Sequence, residues 1–120
     1  MNKIQALHAF WSGFTWPAYD ETSVPDGAQF PYITYEVRSD EFGRPVASSA
    51  SLYDRTSTWK NVTEKEMEIA EAIGRGGKMI PFEDGAFWIE KANPWAQRVG
   101  EPSDEKVRRI MLNVTIEYLN

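Results

Sequence analysis

The chain has 120 residues, of which 42% are hydrophobic, and its formal net charge is −5 at pH 7. This length favours one domain spanning residues 1–120, and the negative charge argues against specific nucleic-acid binding, because affinity for phosphate backbones comes from clustered Lys and Arg. The absence of cysteine excludes disulfides and thiolate metal sites, and no stretch has the ~20 consecutive apolar residues of a membrane span.

Met1 to Gly13 has the pattern of an amphipathic helix. Asn2 is placed to cap its N-terminus, and Gly13 is placed to end it. No small-residue cleavage site accompanies this pattern, so we expect a cytoplasmic protein rather than a secreted one. The apolar stripe of this helix consists of Ile4, Leu7, Trp11 and Phe14, with His8 beside it.

The next stretch, Thr15 to Pro31, is predicted to be a long irregular loop, because Pro and Gly recur in it. Asp20 and Glu21 make it acidic, and Trp16 and Tyr19 are expected to hold its start against the core. A loop of this length inside a small domain is more often functional than idle.

A β-hairpin is predicted after this loop. Tyr32 to Arg38 alternates between apolar and polar residues, Asp40 to Arg44 is rich in turn-forming residues, and Val46 to Trp59 supplies the second strand. Serine and threonine are frequent in the second strand, which is typical of a solvated face or of a face that lies against another backbone.

A second helix is predicted to begin at a capping box formed by Thr63 and Glu66, with Val62 and Met67 at the two positions of a hydrophobic staple. Gly74 is expected to end this helix. Its apolar face consists of Met67, Ala70 and Ile73, widened by Ile69 and Ala72.

The remainder of the chain is predicted to contain a short hairpin, a loop and a long closing strand. Lys78 to Phe82 and Ala86 to Lys91 flank a turn at Asp84–Gly85, and Ala92 to Ser103 reads as a second irregular loop. In the closing strand, Val107 to Tyr118, apolar and polar residues alternate with a period of two, which predicts one buried and one solvated face. The apolar row is Ile110, Leu112, Val114, Ile116 and Tyr118, and the polar row is Arg109, Met111, Asn113, Thr115 and Glu117.

Together these elements predict an α+β fold, in which a mainly antiparallel four- to five-stranded sheet is covered by two helices on one face. The long closing strand is expected to be a main structural member of that sheet.

Catalytic and metal-binding patterns are weak in this sequence, and we expect neither an enzyme nor a cofactor. His8 is the only histidine, and a structural role is favoured over a catalytic one because it borders an apolar stripe. No Gly-x-Ser-x-Gly motif surrounds any serine. The glycine-rich segment 74–78 follows a helix, whereas a phosphate-binding loop precedes one.

Two groups of residues leave alternatives open. Arg108 and Arg109, with Arg98 in the preceding loop, could form a small basic site, although protection of a sheet edge and pairing with Glu90 or Glu117 are favoured. The two loop tryptophans, at positions 16 and 95, either tuck back onto the core or anchor a partner.

Five stretches carry a likeness to a known family: Phe30 to Glu36, Ser51 to Tyr53 with Trp59, Gly85 to Ile89, Asn93 to Gln97, and Arg108 to Tyr118. In these stretches, in length and in element order, the chain resembles the tail-completion, or tail-terminator, proteins of long-tailed bacteriophages and prophages. The likeness extends to related head-tail joining proteins and includes no catalytic signature.

The resemblance implies a non-enzymatic structural protein that assembles as a hexameric ring on the head-proximal end of the tail tube. Such a ring stops tail polymerisation and provides the surface for head attachment. The implied partners are therefore further copies of the chain, the tail-tube protein and the head-tail connector, in the host cytoplasm during assembly and in the virion tail afterwards.

A ring is built from heterologous contacts, so two different surfaces of each subunit must meet. The loops and the polar rows of the strands supply the candidates for these surfaces. The candidate interface residues are Trp16, Tyr19, Asp20, Glu21, Trp95, Arg98, Arg109 and Met111. The alternative functions are a head-side neck protein and a small module that binds a host factor through Trp16, Tyr19 and Trp95.

Overall fold

The computed structural model describes residues 1–38 and 42–119, which form an α+β fold of two helices and a curled, mixed six-stranded sheet. The helices are α1 (Lys3–Ser12) and α2 (Lys60–Ile73). The strands are β1 (Ala18–Asp20), β2 (Tyr32–Tyr35), β3 (Val46–Arg55), β4 (Lys78–Phe82), β5 (Gly85–Val99) and β6 (Val107–Tyr118), in the spatial order β1-β2-β3-β6-β5-β4. The α+β prediction is confirmed, whereas the predicted four to five antiparallel strands are only roughly correct.

The closing strand β6 lies in the interior of the sheet, between β3 and β5. Its predicted alternation is confirmed, because the row from Ile110 to Tyr118 is buried while the intervening residues are half-buried. The antiparallel register with β3 places Ala50 opposite Leu112 and Leu52 opposite Ile110. These pairs place the apolar residues of neighbouring strands on one face, here called the inner face.

Both helices pack on the inner face. The side chain of Asn2 accepts a hydrogen bond from the Gln5 amide in a capping box, which confirms the predicted start of α1, and Gly13 ends it. The predicted stripe is partly wrong, because Ile4 is 39% exposed. The residues that α1 buries are Ala6, Leu7, Phe10 and Trp11, with Phe14 following the helix.

Helix α2 starts at Lys60, before the predicted capping box, and no side-chain hydrogen bond caps it. The Thr63 amide donates to the carbonyl of Trp59, so Thr63 already lies inside the first turn. The predicted staple also fails, because Met67 is 61% exposed. Gly74 ends the helix at a φ of 81°, as predicted. The residues that α2 buries are Val62, Lys65, Ile69 and Ile73.

The predicted loop from Thr15 to Pro31 contains the edge strand β1, which pairs in parallel with β2. The β1 register places Ala18 beside Ile33, where both side chains are buried. A three-residue strand gives too little alternation to be recognised from sequence, so its neighbour determines its conformation.

The second predicted loop, Ala92 to Ser103, is wrong over most of its length, because β5 continues to Val99. Lys91 pairs with Val114 and Ala96 pairs with Leu112, so residues 92–95 form a bulge opposite a single residue of β6. β6 therefore pairs with β5 both before and after residues 92–95, although the Pro and Gly content of this part of the chain indicated a loop.

Both predicted hairpins are present; both strands of the first end earlier than predicted, whereas β4 has the predicted bounds. β2 ends at Tyr35 and β3 ends at Arg55, and these strands pair antiparallel. The β4–β5 hairpin turns at Glu83–Asp84, where Asp84 has a φ of 69°. Two residues of the predicted first turn, Asp40 and Glu41, lie outside the described residues.

Buried Lys65 joins α2 to the end of α1. Its Nζ donates to the Phe14 carbonyl oxygen at 2.6 Å, to Thr15 Oγ1 at 3.3 Å and to a Glu68 carboxylate oxygen at 2.8 Å. Thr15 has a φ of 69°, which is rare for a β-branched residue. The lysine donates to the carbonyl that precedes Thr15 and to the hydroxyl of Thr15 itself. A buried ammonium group that satisfies a carbonyl and a carboxylate fixes the relative positions of the two helices.

We predict that Lys65→Ala lowers the free energy of unfolding by about 2–4 kcal/mol, because it removes the ammonium donor of the Phe14 carbonyl, which then keeps only the Thr15 hydroxyl, and opens a cavity. Exposed Lys60 in the same helix provides the matched control, and Lys60→Ala should cost less than about 0.5 kcal/mol. Urea denaturation followed by circular dichroism measures both values. Equal values for the two variants would contradict a structural role for the buried ammonium group.

The Tyr118 hydroxyl on β6 is fully buried and has no hydrogen-bond partner among the described residues. We predict that Tyr118→Phe raises the free energy of unfolding by about 1 kcal/mol, because it removes a buried polar atom and keeps the ring. Tyr53→Phe, at a half-buried position, should change this free energy by less than about 0.5 kcal/mol. A lower stability of Tyr118→Phe in urea denaturation would show that the hydroxyl is bonded in solution.

Candidate functional site

The candidate site is the sheet face opposite the helices, here called the open face. The apolar residues that the two helices bury pack with inner-face residues, and the buried hydrophobic core contains no residue of the open face. Its side chains are those that alternate with the buried row on each strand. They include Tyr19, Tyr32, Thr34, Ala47, Ser49, Ser51, Tyr53, Arg55, Trp88, Glu90, Gln97, Val99, Val107, Arg109, Met111, Asn113, Thr115 and Glu117.

Four aromatic rings and one guanidinium form a continuous row across one end of the open face. Tyr32 stacks on Tyr53 at a centroid distance of 5.1 Å and also contacts Tyr19 at 5.9 Å and Phe30 at 5.3 Å. The Arg109 guanidinium carbon lies 5.3 Å from the Tyr53 ring centroid. This aromatic row (Tyr19, Phe30, Tyr32, Tyr53 and Arg109) arises because the strand register places Tyr32 beside Tyr53 and Tyr53 beside Arg109.

Arg109 is held in place by two contacts, one with Ser51 and one with Tyr53. Its Nε donates to Ser51 Oγ at 3.1 Å while the guanidinium stacks on Tyr53. The predicted pairing of Arg109 with Glu90 or Glu117 is wrong, as is the predicted edge protection, because β6 is an interior strand and Glu117 lies at its far end. The arginine therefore presents a restrained positive charge within the aromatic row, while Glu101 acts on Tyr32 and the Arg55–Asp104 ion pair lies beyond Tyr53.

Within the row, the hydroxyl of Tyr32 stays protonated at neutral pH and can donate a hydrogen bond. Burial raises the pKa of Tyr32 above 10.0, and the neighbouring Tyr53, Glu101 and Tyr19 raise it further, since a phenolate would be poorly solvated and close to other negative groups. The row thus combines ring faces with hydroxyl and guanidinium donors, which suits a partner that offers carboxylates and apolar side chains.

The serines of β3 do not form the predicted solvated face. Ser51 lies on the open face but is buried beneath Arg109, and Ser48 lies on the inner face, where its hydroxyl donates to the Glu36 carbonyl at 3.3 Å. Their small hydroxyls satisfy backbone and neighbouring side chains rather than reaching solvent.

The predicted interface residues divide between the two sides of the sheet. Tyr19, Arg109 and Met111 lie together on the open face. Trp16 and Trp95 lie on the helix side, where both pack against the core. Trp16 contacts the Lys65 ammonium at 5.3 Å, and Trp95 Nε1 donates to a Glu66 carboxylate oxygen at 3.3 Å. Of the two alternatives for these tryptophans, the structure supports packing onto the core.

The other predicted charges have local structural contacts. An Asp20 carboxylate oxygen accepts hydrogen bonds from the amide and hydroxyl of Thr22, and the Glu21 amide donates to the Tyr35 carbonyl. The Arg98 guanidinium stacks on Trp59 at 4.6 Å on the helix side. Arg108 also contacts the Trp59 ring, at 5.4 Å, so these two arginines do not join Arg109 in one basic site.

Sequence reasoning missed Tyr32, Tyr53 and Phe30 as members of the candidate site. Their signal is the placement of aromatic residues at polar positions of alternating strands, which marks a ring on the face away from the core. Recognising the row also requires the β2–β3 register, which alternation alone does not fix.

His8 belongs to a hydrogen-bonded chain on the other side of the molecule. Its Nδ1 lies 2.8 Å from the Tyr35 hydroxyl, and its Nε2 lies 3.1 Å from Ser12 Oγ. The Gly13 amide, next to this serine, is already bonded to the Phe10 carbonyl. The adjoining depression has a volume of about 610 Å³ and is lined by Met1, Ile4, Gln5, His8 and Ala9, with no carboxylate among them. This arrangement supports the predicted structural role of the histidine.

The residues that the structure describes contain neither a metal-binding cluster nor a membrane-spanning helix. Across residues 1–38 and 42–119, His, Asp and Glu side chains form no group of three that could hold a metal ion. Neither described helix is long and apolar enough to cross a membrane.

Comparison of the chain with models of known protein families, with curated proteins and with solved structures finds no match. The open face, and not a homologue, therefore supplies the evidence for function.

We predict that the stability of the protein falls above about pH 10 and that Tyr32→Phe makes this fall shallower. The folded-state pKa of Tyr32 is raised, so its contribution is fully present below 10.0, the ordinary tyrosine value, and is lost as the pH rises through the folded-state pKa. Urea denaturation between pH 7 and about pH 11 measures how the free energy of unfolding of the wild type and of Tyr32→Phe changes with pH. The two curves should run parallel below about pH 9. Parallel slopes above pH 10 would contradict the proposed environment of Tyr32.

Proposed function

We propose that this chain is a structural protein of a long-tailed bacteriophage or prophage that caps the head-proximal end of the tail tube. In this role, copies of the chain form a ring, hexameric in the family that the sequence resembles, which stops tail polymerisation and offers a surface for head attachment. The tail-tube protein and the head-tail connector are its partners.

The observation that carries this proposal is the open face with its restrained aromatic row. Aromatic residues and arginine are the residues most enriched at the energetic centres of protein interfaces. Here Tyr32, Tyr53 and Arg109 are mutually packed on a sheet face that neither helix covers. Side chains fixed before binding lose little conformational freedom when a partner arrives, which favours an assembly surface.

The alternative host-factor module has less support. That hypothesis relied on Trp16, Tyr19 and Trp95 as protruding anchors, but both tryptophan rings pack against the core, and only Tyr19 lies on the open face. A head-side neck protein would use the same open face, so the phenotype separates the two structural roles. Without the chain, overlong or unfinished tails in negative-stain images indicate a tail terminator, and finished but unattached tails indicate a neck protein.

We predict that Arg109→Glu prevents ring assembly, with the fold retained. The change reverses the charge of the aromatic row, whereas the loss of the Ser51 hydrogen bond costs only about 1 kcal/mol of stability. Sedimentation velocity and negative-stain imaging, with and without the tail-tube protein encoded in the same genome, measure assembly. Circular dichroism measures the fold.

Lys78→Glu is the matched control for this experiment, because exposed Lys78 lies on β4, at the opposite edge of the sheet from Tyr19 and Tyr32. This variant should assemble as the wild type does. Normal assembly by Arg109→Glu would remove the open face from the interface, while a strictly monomeric wild type that binds no tail tube would overturn the proposed function.

A further inference from the structure

The outer side of α2 carries a negatively charged stripe. Glu64, Met67, Glu68 and Glu71 follow the i, i+3, i+4, i+7 spacing that aligns side chains along one side of a helix, and all four are exposed. This set is called the acidic stripe below. Glu68 also contacts Lys65, whereas Glu64 and Glu71 have no hydrogen bond or ion pair within the described part of the chain.

Met67 is the unusual member of the acidic stripe. Its side chain is apolar and 61% exposed in the middle of a row of glutamates. Methionine adapts its shape to a partner and makes favourable sulfur contacts with aromatic rings. The stripe therefore combines acceptor charges with one adaptable apolar contact.

The aromatic row of the open face is the chemical complement of this stripe. Tyrosine hydroxyls and the Arg109 guanidinium can donate to carboxylates, and the rings of Tyr32 and Tyr53 can contact a methionine side chain. Arg109 is the charged member of the row, and the stripe opposes it with three glutamates.

The positions of the two surfaces determine the geometry of a contact between them. The helices lie on the inner face of the sheet, so the outer side of α2 and the open face point away from each other. One copy cannot bring its own two surfaces together. A contact between them joins different copies head to tail, which generates a ring when the rotation between copies closes.

We propose that the acidic stripe of one copy docks on the aromatic row of the next copy. This inference rests on the proposed ring-forming function and identifies the two surfaces that meet in each contact. The bound partner is a second copy of this chain, recognised by glutamate against arginine and tyrosine, and by Met67 against the tyrosine rings.

The test uses two charge-reversed proteins, Arg109→Glu and the double variant Glu64→Arg/Glu71→Arg. Glu68 is left unchanged because it contacts Lys65. Each protein alone should self-associate at least about tenfold more weakly than the wild type, since each places like charges in the contact. Glu105→Arg, at an exposed position off the stripe, is the control and should associate normally.

Mixing the two charge-reversed proteins is the decisive step. In an alternating assembly, every contact is either the original pair of surfaces or the pair in which the arginines introduced at positions 64 and 71 lie opposite the glutamate introduced at position 109, so each reversed charge faces an opposite charge. The mixture should therefore assemble, with a dissociation constant within about tenfold of the wild-type value. Met67→Ala should weaken association of the wild-type sequence by about tenfold without changing its salt dependence, whereas added salt should weaken the wild-type contact.

Three results would overturn the inference, and they separate it from the proposed function. If both charge-reversed proteins assemble as well as the wild type, the two surfaces do not form the contact between copies. That result would not contradict the proposed ring. Loss of assembly in each protein without recovery in the mixture would show that the surfaces contact other partners. A wild-type protein that stays monomeric even with the tail-tube protein would overturn both proposals.

Discussion

The structure depends on the pairing of β6 with β3 on one side and β5 on the other. This strand has ten paired positions with β3 alone, and its buried row supplies the centre of the inner face. Side chains alternate strictly along a strand, so a slip of one residue would exchange Leu112 for Met111 in the core. Burying each large apolar side chain of this row contributes on the order of 1.5–3 kcal/mol, which penalises any slipped register heavily.

The same register also determines the surface proposed for function. Once Leu52 and Ile110 face the helices, Tyr53 and Arg109 must face the opposite way. Neighbouring strands then bring Tyr32 and Tyr19 to the row. The aromatic rings shield one another by stacking across the strands, so this face needs no third layer to be stable. Core and candidate site are thus two consequences of one set of strand pairings.

Features encoded within a few residues could be predicted from the sequence. The alternation of β6, the Asn2 cap of α1 and the end of α2 at Gly74 each depend on local periodicity or backbone preference. Only some residues of the candidate site could be predicted from the sequence, namely Tyr19, Arg109 and Met111. Tyr32 and Tyr53 were missed, because long-range strand pairing brings them to the site.

Where tertiary contacts compete with local signals, the local signals mislead. Thr63 and Glu66 match a capping box, yet Glu66 accepts a hydrogen bond from Trp95 and the helix begins one turn earlier. Pro94 lies in a bulge of β5, because β6 continues to offer hydrogen-bonding partners beyond it. Lys65 is buried because the end of α1 supplies its acceptors, and no pattern within α2 indicates this.

The edges of the sheet explain why association would use its broad surfaces. Exposed strand edges are the usual route by which sheets add further strands, and short strands and proline are the usual means of blocking it. Here one edge strand, β1, has only three residues, and the other, β4, carries Pro81 and Lys78. Both edges are therefore poor templates for a further strand. The open face and the helical side therefore remain as the surfaces for any contact between copies, and because they point in opposite directions, a contact that joins one to the other would be head to tail rather than two-fold.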